Sequence, residues 1–194
     1  MAAQNSTVHI SIPAIVGVAT EILEQYGLAD LSMRRVATQL GVQPSALYWH
    51  VKDKQSLLAL VADRLLDSVR LDASLSDWRS ELRTRAVTLH AALLSTRDAA
   101  ELVASVVALG TGGHRLRTII AGASSHLPPM MEGANTIAEP ELLPGPLVDA
   151  VCSLLLGSAL ITQQRAQAAE FGVVTTDSPP LSDFPAMLDL LLDA

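Results

Sequence analysis

A chain of 194 residues with 49% apolar, 3% aromatic and 17% charged positions has the composition of a packed globular protein and excludes a disordered one. So few rings leave an aliphatic core, which suits Leu, Ala and Val on helices better than aromatic-rich sheets. Thirteen basic against twenty acidic residues give −7, a balance that, taken whole, opposes a polyanionic partner.

Apolar residues recur at helical spacing almost throughout, and no alternating strand pattern persists, so the expected fold class is all-α. A first helix is predicted with Ser11 as cap and Pro13 in its first turn, ending before Gly27 and burying Ile15, Val18, Ala19, Ile22 and Leu23. A second starts at Ser32, buries Met33, Val36, Ala37 and Leu40, and stops at Gly41. A third has Pro44 in its first turn and runs through Tyr48 to about Val51. A fourth, capped by Asp53, runs from Lys54 to Arg70 with Leu57, Leu58, Val61, Leu65 and Val69 inward. Amphipathic stretches follow over Leu75–Thr96 and Asp98–Leu109. Gly110-Thr-Gly-Gly breaks the chain before a helix from His114 to about Leu127. Pro128-Pro129, Pro140, Pro144 and Pro146 then bracket a loop. A long helix from Leu147 to Glu170, a loop over 172–180 and a last helix from Ser182 complete the reading.

Single residues add constraints. Cys152 is the one cysteine, so no internal disulfide forms and a reducing, cytoplasmic setting is expected. His9, His50, His90, His114 and His126 are scattered singly, so no metal and no other cofactor is expected. Met1–His9 has no basic stretch of the signal-peptide kind. The most apolar window, Leu147–Ile161, is short for a bilayer and carries Asp149, which points to a buried or interface helix and no membrane partner.

The most specific feature is LSMRRVATQLGVQPSALYWHVKDKQSLL, from Leu31 to Leu58. Two short helices meeting at Leu40-Gly41-Val42 form the turn that a helix-turn-helix requires. In that motif the start of the second helix meets base edges in the major groove. Ser45 and Ala46 are small enough for close approach, whereas Tyr48, Trp49 and His50 are large amphipathic groups on a helix with little room to bury them. Arg34 and Arg35 before the turn, and Lys52 and Lys54 after it, reach toward phosphates. Split by segment, the charge reads differently. Residues 31–56 carry four bases and one acid, a local +3; residues 1–70 sum to zero, and all of −7 belongs to 71–194. The expected boundary falls near residue 70, with a reading module and its connecting helix over 1–70 and an acidic helical body over 71–194.

These residues closely resemble the N-terminal module of the tetracycline-repressor (TetR) family of bacterial transcription regulators, and Leu47-Tyr48-Trp49-His50-Val51-Lys52 is especially near the tetracycline repressors themselves. The likeness is strong over about residues 12–65 and weaker through Ala92–Asp98 and Phe184–Leu192. It implies operator contacts at Arg34, Pro44, Ser45, Ala46, Tyr48, Trp49 and His50, and a phosphate contact at Lys54. Ser32 and Arg35, at the head of the second helix, complete the candidate set.

The resemblance also implies a homodimer joined by its last two long helices, a double-stranded operator and a small-molecule effector. Val148, Val151, Leu155 and Ala159 at heptad-like spacing, and Phe184, Met187, Leu188 and Leu191, are the expected dimer contacts; the alternative is ordinary core within one chain. Tetracycline repressors hold a magnesium–drug chelate with a His, a Thr and a Glu. The matching positions are Val103, Val106 and Ile161, and aliphatic carbon cannot ligate a hard cation. An apolar effector is therefore expected, walled by Leu89, Val103, Val106, Ile119 and Ile161. Arg85 falls near a polar drug contact of the relatives, or else pairs with Glu81 one turn earlier. Gln163, Gln164 and Arg165 either line the pocket mouth or are solvated.

Two other classes stand beside the repressor reading. An adaptor would use the same motif to dock a protein. An enzyme would need a nucleophile–base pair or paired carboxylates, and neither is visible; Gly110-Thr-Gly-Gly lacks the Lys-Ser/Thr of a phosphate-binding loop.

Overall fold

A computed structural model describes residues 10–71, 77–123, 143–174 and 179–193, and the regular elements among them are all helical. Helix α1, Ile12–Tyr26, begins where the Ser11 hydroxyl accepts the Ala14 N–H at 3.3 Å, and it buries Ile15, Val16, Ala19, Ile22 and Leu23. A single 3-10 turn, Leu28–Asp30, leads to α2, Met33–Leu40, whose cap is the Ser32 hydroxyl accepting the Arg35 N–H at 3.2 Å. Gly41 closes α2 in the left-handed region (φ 70°), where a side chain would be strained.

Helix α3 is shorter than expected, Pro44–Leu47 only. Beyond Leu47 the chain turns, with the N–H groups of His50 and Val51 both donating to the Leu47 carbonyl at 2.9 Å. That turn brings Val51 into the core before Asp53 caps α4, Lys54–Asp67. Helix α4 ends three residues before Arg70, and its core stripe is Leu57, Leu58, Val61, Ala62 and Leu66. Leu65, on the same face, and Val69, past the end of the helix, are only half-buried.

Five further helices follow: α5 Trp78–Ser95, α6 Ala99–Ala108, α7 His114–Ala121, α8 Gly145–Glu170 and α9 Phe184–Leu192. The expected start at Leu75, the helix end near Leu127, Pro128-Pro129, Pro140, His9 and His126 lie outside the described residues. Helix α8 begins at Gly145 rather than Leu147, with Pro146 in its first turn. Helix α9 begins at Phe184 rather than Ser182, because the Asp183 carboxylate accepts the Ala186 N–H at 3.3 Å.

Helix α1 packs on α2 and α4, while α4 also packs on α6 and α7. Helix α8 lies against α5, α6, α7 and α9. Its 26 residues are long and apolar enough to cross a membrane by composition alone, a test that core helices of soluble proteins also pass. Buried side chains from Ile15 to Leu192 form one contiguous aliphatic cluster. Close approach is required where the α6–α7 connection meets α4: a Cβ on Gly112 would stand 2.6 Å from Val106 Cγ1 and 3.3 Å from the Ala59 Cβ.

Helix α9 is fixed to α5 by polar groups as well. Arg83 grips Asp189 with two bonds, at 2.6 and 3.1 Å. The His90 ring stacks on Phe184 at 4.2 Å between centroids, and its Nε2 lies 3.1 Å from Ser158 Oγ on α8. Burial holds the His90 imidazole below its usual basicity, with Asp183 pulling the other way. The folded protein therefore binds the proton less readily than the unfolded chain, and stability falls as pH drops through the ordinary histidine range. Thermal melts at pH 7.5 and 5.5 are expected to show this loss, and a His90→Phe variant, which keeps the stack, to lose less on acidification.

Candidate nucleic-acid interface and the helical body behind it

The reading segment is anchored from within. Leu47 is fully buried and Val51 nearly so, which pins the α3 turn into the core beside α2. Between them Tyr48 is 54% and Trp49 90% exposed, with His50 also on the surface. Exposed rings of this size in a chain with six aromatic residues mark a surface kept for contact. Ser45 is exposed, and Pro44 and Ala46 are partly so, leaving the start of α3 open to close approach. Arg34, Lys52 and Lys54 are exposed on the flanks.

Two expected contacts are engaged inside the module. The Arg35 guanidinium lies 3.8 Å over the Tyr26 ring and pairs with Asp30, so it ties α2 to the end of α1 rather than standing free for phosphate. The Ser32 hydroxyl is committed as acceptor to its own helix. Sequence periodicity places both residues at the head of α2 but cannot see that Arg35 finds its partners in Tyr26 and Asp30.

Behind the module, Leu89, Val103 and Val106 are fully buried and Ile119 is 6% exposed, so these expected pocket walls serve as packed core. Ile161 is 53% exposed on the opposite side of α8 and does not join them. Arg85 takes the alternative role in a deeper setting. Its Nε and Nη2 donate to Glu81 Oε1 at 3.0 and 2.5 Å, and its Nη1 donates to the Ile119 carbonyl at 2.8 Å. Glu81 is 4% exposed, so the pair lies inside the α5–α7 contact. Gln163 lines a small cleft beside Arg97 and Asp98 and binds backbone there, joining α8 to the α5–α6 turn.

Open space lies elsewhere. An apolar cleft of about 220 Å³ runs between the α6–α7 connection and α8, lined by Val107, Leu116, Arg117, Asp149 and Cys152 among others. Burial pushes the Cys152 thiol up to about 11, so it is protonated and unreactive at neutral pH. A more polar cleft of about 500 Å³ opens beneath α4, lined by Asp63, Asp67, His114, Arg115 and Thr118. Burial beside Asp67 raises the Asp63 carboxyl there.

The expected dimer contacts need correction. Val148, Val151, Leu155, Ala159, Phe184 and Leu188 are each at most 3% exposed within a single chain, and Met187 and Leu191 are half-buried. A side chain already removed from water adds no area to an interface. Heptad-like spacing found the inward stripe of α8, which faces α5 and α9. The outward stripe, Ser153, Gly157, Leu160, Ile161 and Gln164, is exposed or half-exposed, and Leu190 of α9 is 76% exposed.

Comparison with known proteins agrees with this architecture. Residues 15–61 match the family model for bacterial regulatory proteins of the tetR family. Tetracycline repressor protein class C of Escherichia coli is 39% identical over 92 residues, which span 46% of this chain and 42% of that repressor. The chain thus spans less than half the length of this curated relative. A crystal structure of BioQ from Mycobacterium smegmatis is 33% identical, with a TM-score of 0.73 over 95% of this chain and 96% of that one. A structure of BioQ with its double-stranded DNA operator is 32% identical, with a TM-score of 0.68 over the same shares. ActR of Streptomyces coelicolor in complex with actinorhodin is 25% identical, with a TM-score of 0.60 over 94% of this chain and 84% of ActR. The fold and site define an all-helical, helix-turn-helix protein with an appended helical body. The chain belongs to the TetR family of bacterial regulatory proteins.

Because Arg85 neutralises a buried carboxylate, Arg85→Leu is expected to lower unfolding free energy by about 3–5 kcal/mol in urea titrations. A change within experimental error would place the pair in solvent instead.

Proposed function

We propose that this chain is a DNA-binding transcriptional repressor that grips a palindromic operator as a homodimer and is released by a small, largely apolar effector. The observation that carries the reading is Tyr48, Trp49 and His50 held on the surface by the buried Leu47 and Val51. The operator complex of BioQ supports the DNA partner, and the ActR complex with actinorhodin supports a ligand-responsive body. Binding DNA in a bacterial cell places the protein in the cytoplasm. The apolar cleft beside Val107, Leu116 and Cys152 is the starting point for an effector site, with Arg117 at its edge for one polar group.

Two-fold operators need a two-fold protein, with recognition segments about 34–36 Å apart to enter successive major grooves. The outward stripe of α8 with Leu190 of α9 supplies the symmetric contact. Helix α4 carries the body's state to the module over about 21 Å, 14 residues at about 1.5 Å each. An effector that binds the wrongly spaced conformation more tightly shifts the dimer off its operator without separating its halves.

The binding test uses a duplex selected by the wild-type protein from a random-sequence library. Tyr48→Ala and His50→Ala are each expected to weaken that duplex by about tenfold to a hundredfold, while stability changes by less than about 0.5 kcal/mol. Unchanged affinity in both variants would overturn the reading. For the dimer, Ile161→Glu is expected to yield folded monomers by analytical ultracentrifugation and circular dichroism. A persistent dimer would move the interface elsewhere.

A further inference from the structure

Asp98, in the turn between α5 and α6, is the one described residue other than glycine with a positive φ, at 55°. That region costs energy for a residue with a side chain, least for Asn and Asp. At the head of a helix an aspartate normally turns its carboxylate onto its own first N–H groups, yet Asp98 makes no such bond. Its Oδ2 instead accepts the backbone N–H of Leu28 at 2.8 Å, where the chain leaves α1 for α2. Its Oδ1 accepts the side-chain amide of Gln167 on α8.

Both sides of this junction are built for it. One turn earlier on α8, the Gln163 amide donates to the carbonyls of Leu93 and Thr96 at 2.8 and 2.7 Å and accepts the Ala100 N–H at 3.1 Å. The turn that carries Asp98 is thus held by α8 from the body side. On the module side Gly27 leaves room: a Cβ there would stand 2.5 Å from Asp98 Oδ2, at a φ of 87°. Beside it Tyr26, Arg35 and Asp30 lock the end of α1 to the head of α2.

We propose that Asp98 is a positioning residue for DNA reading, an anion that pins the α1–α2 corner of the reading module to the α5–α6 turn and α8 of the body. The role rests on the DNA-binding function proposed above. Helix α4 alone would leave the module free to rock about one attachment. The carboxylate supplies a second one, so the angle of α2 and α3 follows the position of α8, against which the apolar cleft opens.

Asp98→Gly tests the role because glycine tolerates the left-handed conformation at 55° while removing the carboxylate. Both bonds are then lost, whereas an Asn would keep its oxygen on the Leu28 N–H and give its NH₂ to the Gln167 amide oxygen once that amide turned over. Gly27→Ala presses on the same carboxylate from the other side. In the full-length protein, hydrogen exchange at the Leu28 amide is expected to rise about tenfold or more in both variants. Affinity for the duplex selected by the wild-type chain is expected to change about tenfold, while the melting temperature stays within about 4 °C. A merely structural role would shift melting and leave affinity per folded molecule unchanged, and that result would overturn the proposal. Unchanged Leu28 exchange would overturn it equally. A wild-type chain that selects no duplex would overturn the DNA-binding reading itself, a failure visible before any variant is made.

Discussion

Helix α4 is buried on two sides at once, and the rest of the molecule depends on that constraint. Leu57, Leu58, Val61, Ala62 and Leu66 all lose their exposure to water, yet α1 covers one part of the helix and α6 and α7 another. The aliphatic core therefore does not stop where the reading module ends; it continues through α4 into the body. Packed interiors shift between discrete arrangements rather than deform smoothly. A change that pushes the α6–α7 connection toward α4 presses on it directly, because a Cβ on Gly112 would already stand 3.3 Å from the Ala59 Cβ.

The reading head shows how little regular structure the task needs. Helix α3 spans four residues, too few to hold itself in water. It persists because Leu47 and Val51 are sunk into the core on either side of the exposed rings. The bases that surround it, Arg34, Lys52 and Lys54, stand on a chain whose net −7 is carried by the body. That acidity restrains general attraction to polyanions and leaves recognition to the local surface.

Much of this was legible beforehand for a definite reason. Cap residues, Gly41, Pro44 and the helical spacing of apolar groups act within a few residues, so they fix element identity wherever the chain folds. Ends were less legible: α3 stopped early because Val51 had to reach the core, and α4 ended at Asp67, three residues short of the expected Arg70. The body was least legible. Periodicity marks an apolar stripe but is silent about which neighbour covers it. Val148, Val151, Leu155 and Ala159 were therefore correct as a buried stripe and wrong as a surface between subunits. Leu89, Val103 and Val106 were likewise correct as apolar positions and closed as a pocket wall.

By itself the sequence determined the all-helical class, the helix-turn-helix and the exposed rings at its tip, since those follow from local spacing and from large groups placed where nothing nearby can bury them. Only the tertiary structure decided what the long-range polar groups do. Arg35 turns to Tyr26 and Asp30, Arg85 enters the core with Glu81, and Asp98 reaches 70 residues back to Leu28. A charged side chain takes the partner that desolvation and geometry leave it, and that partner is chosen by packing between helices far apart in the chain.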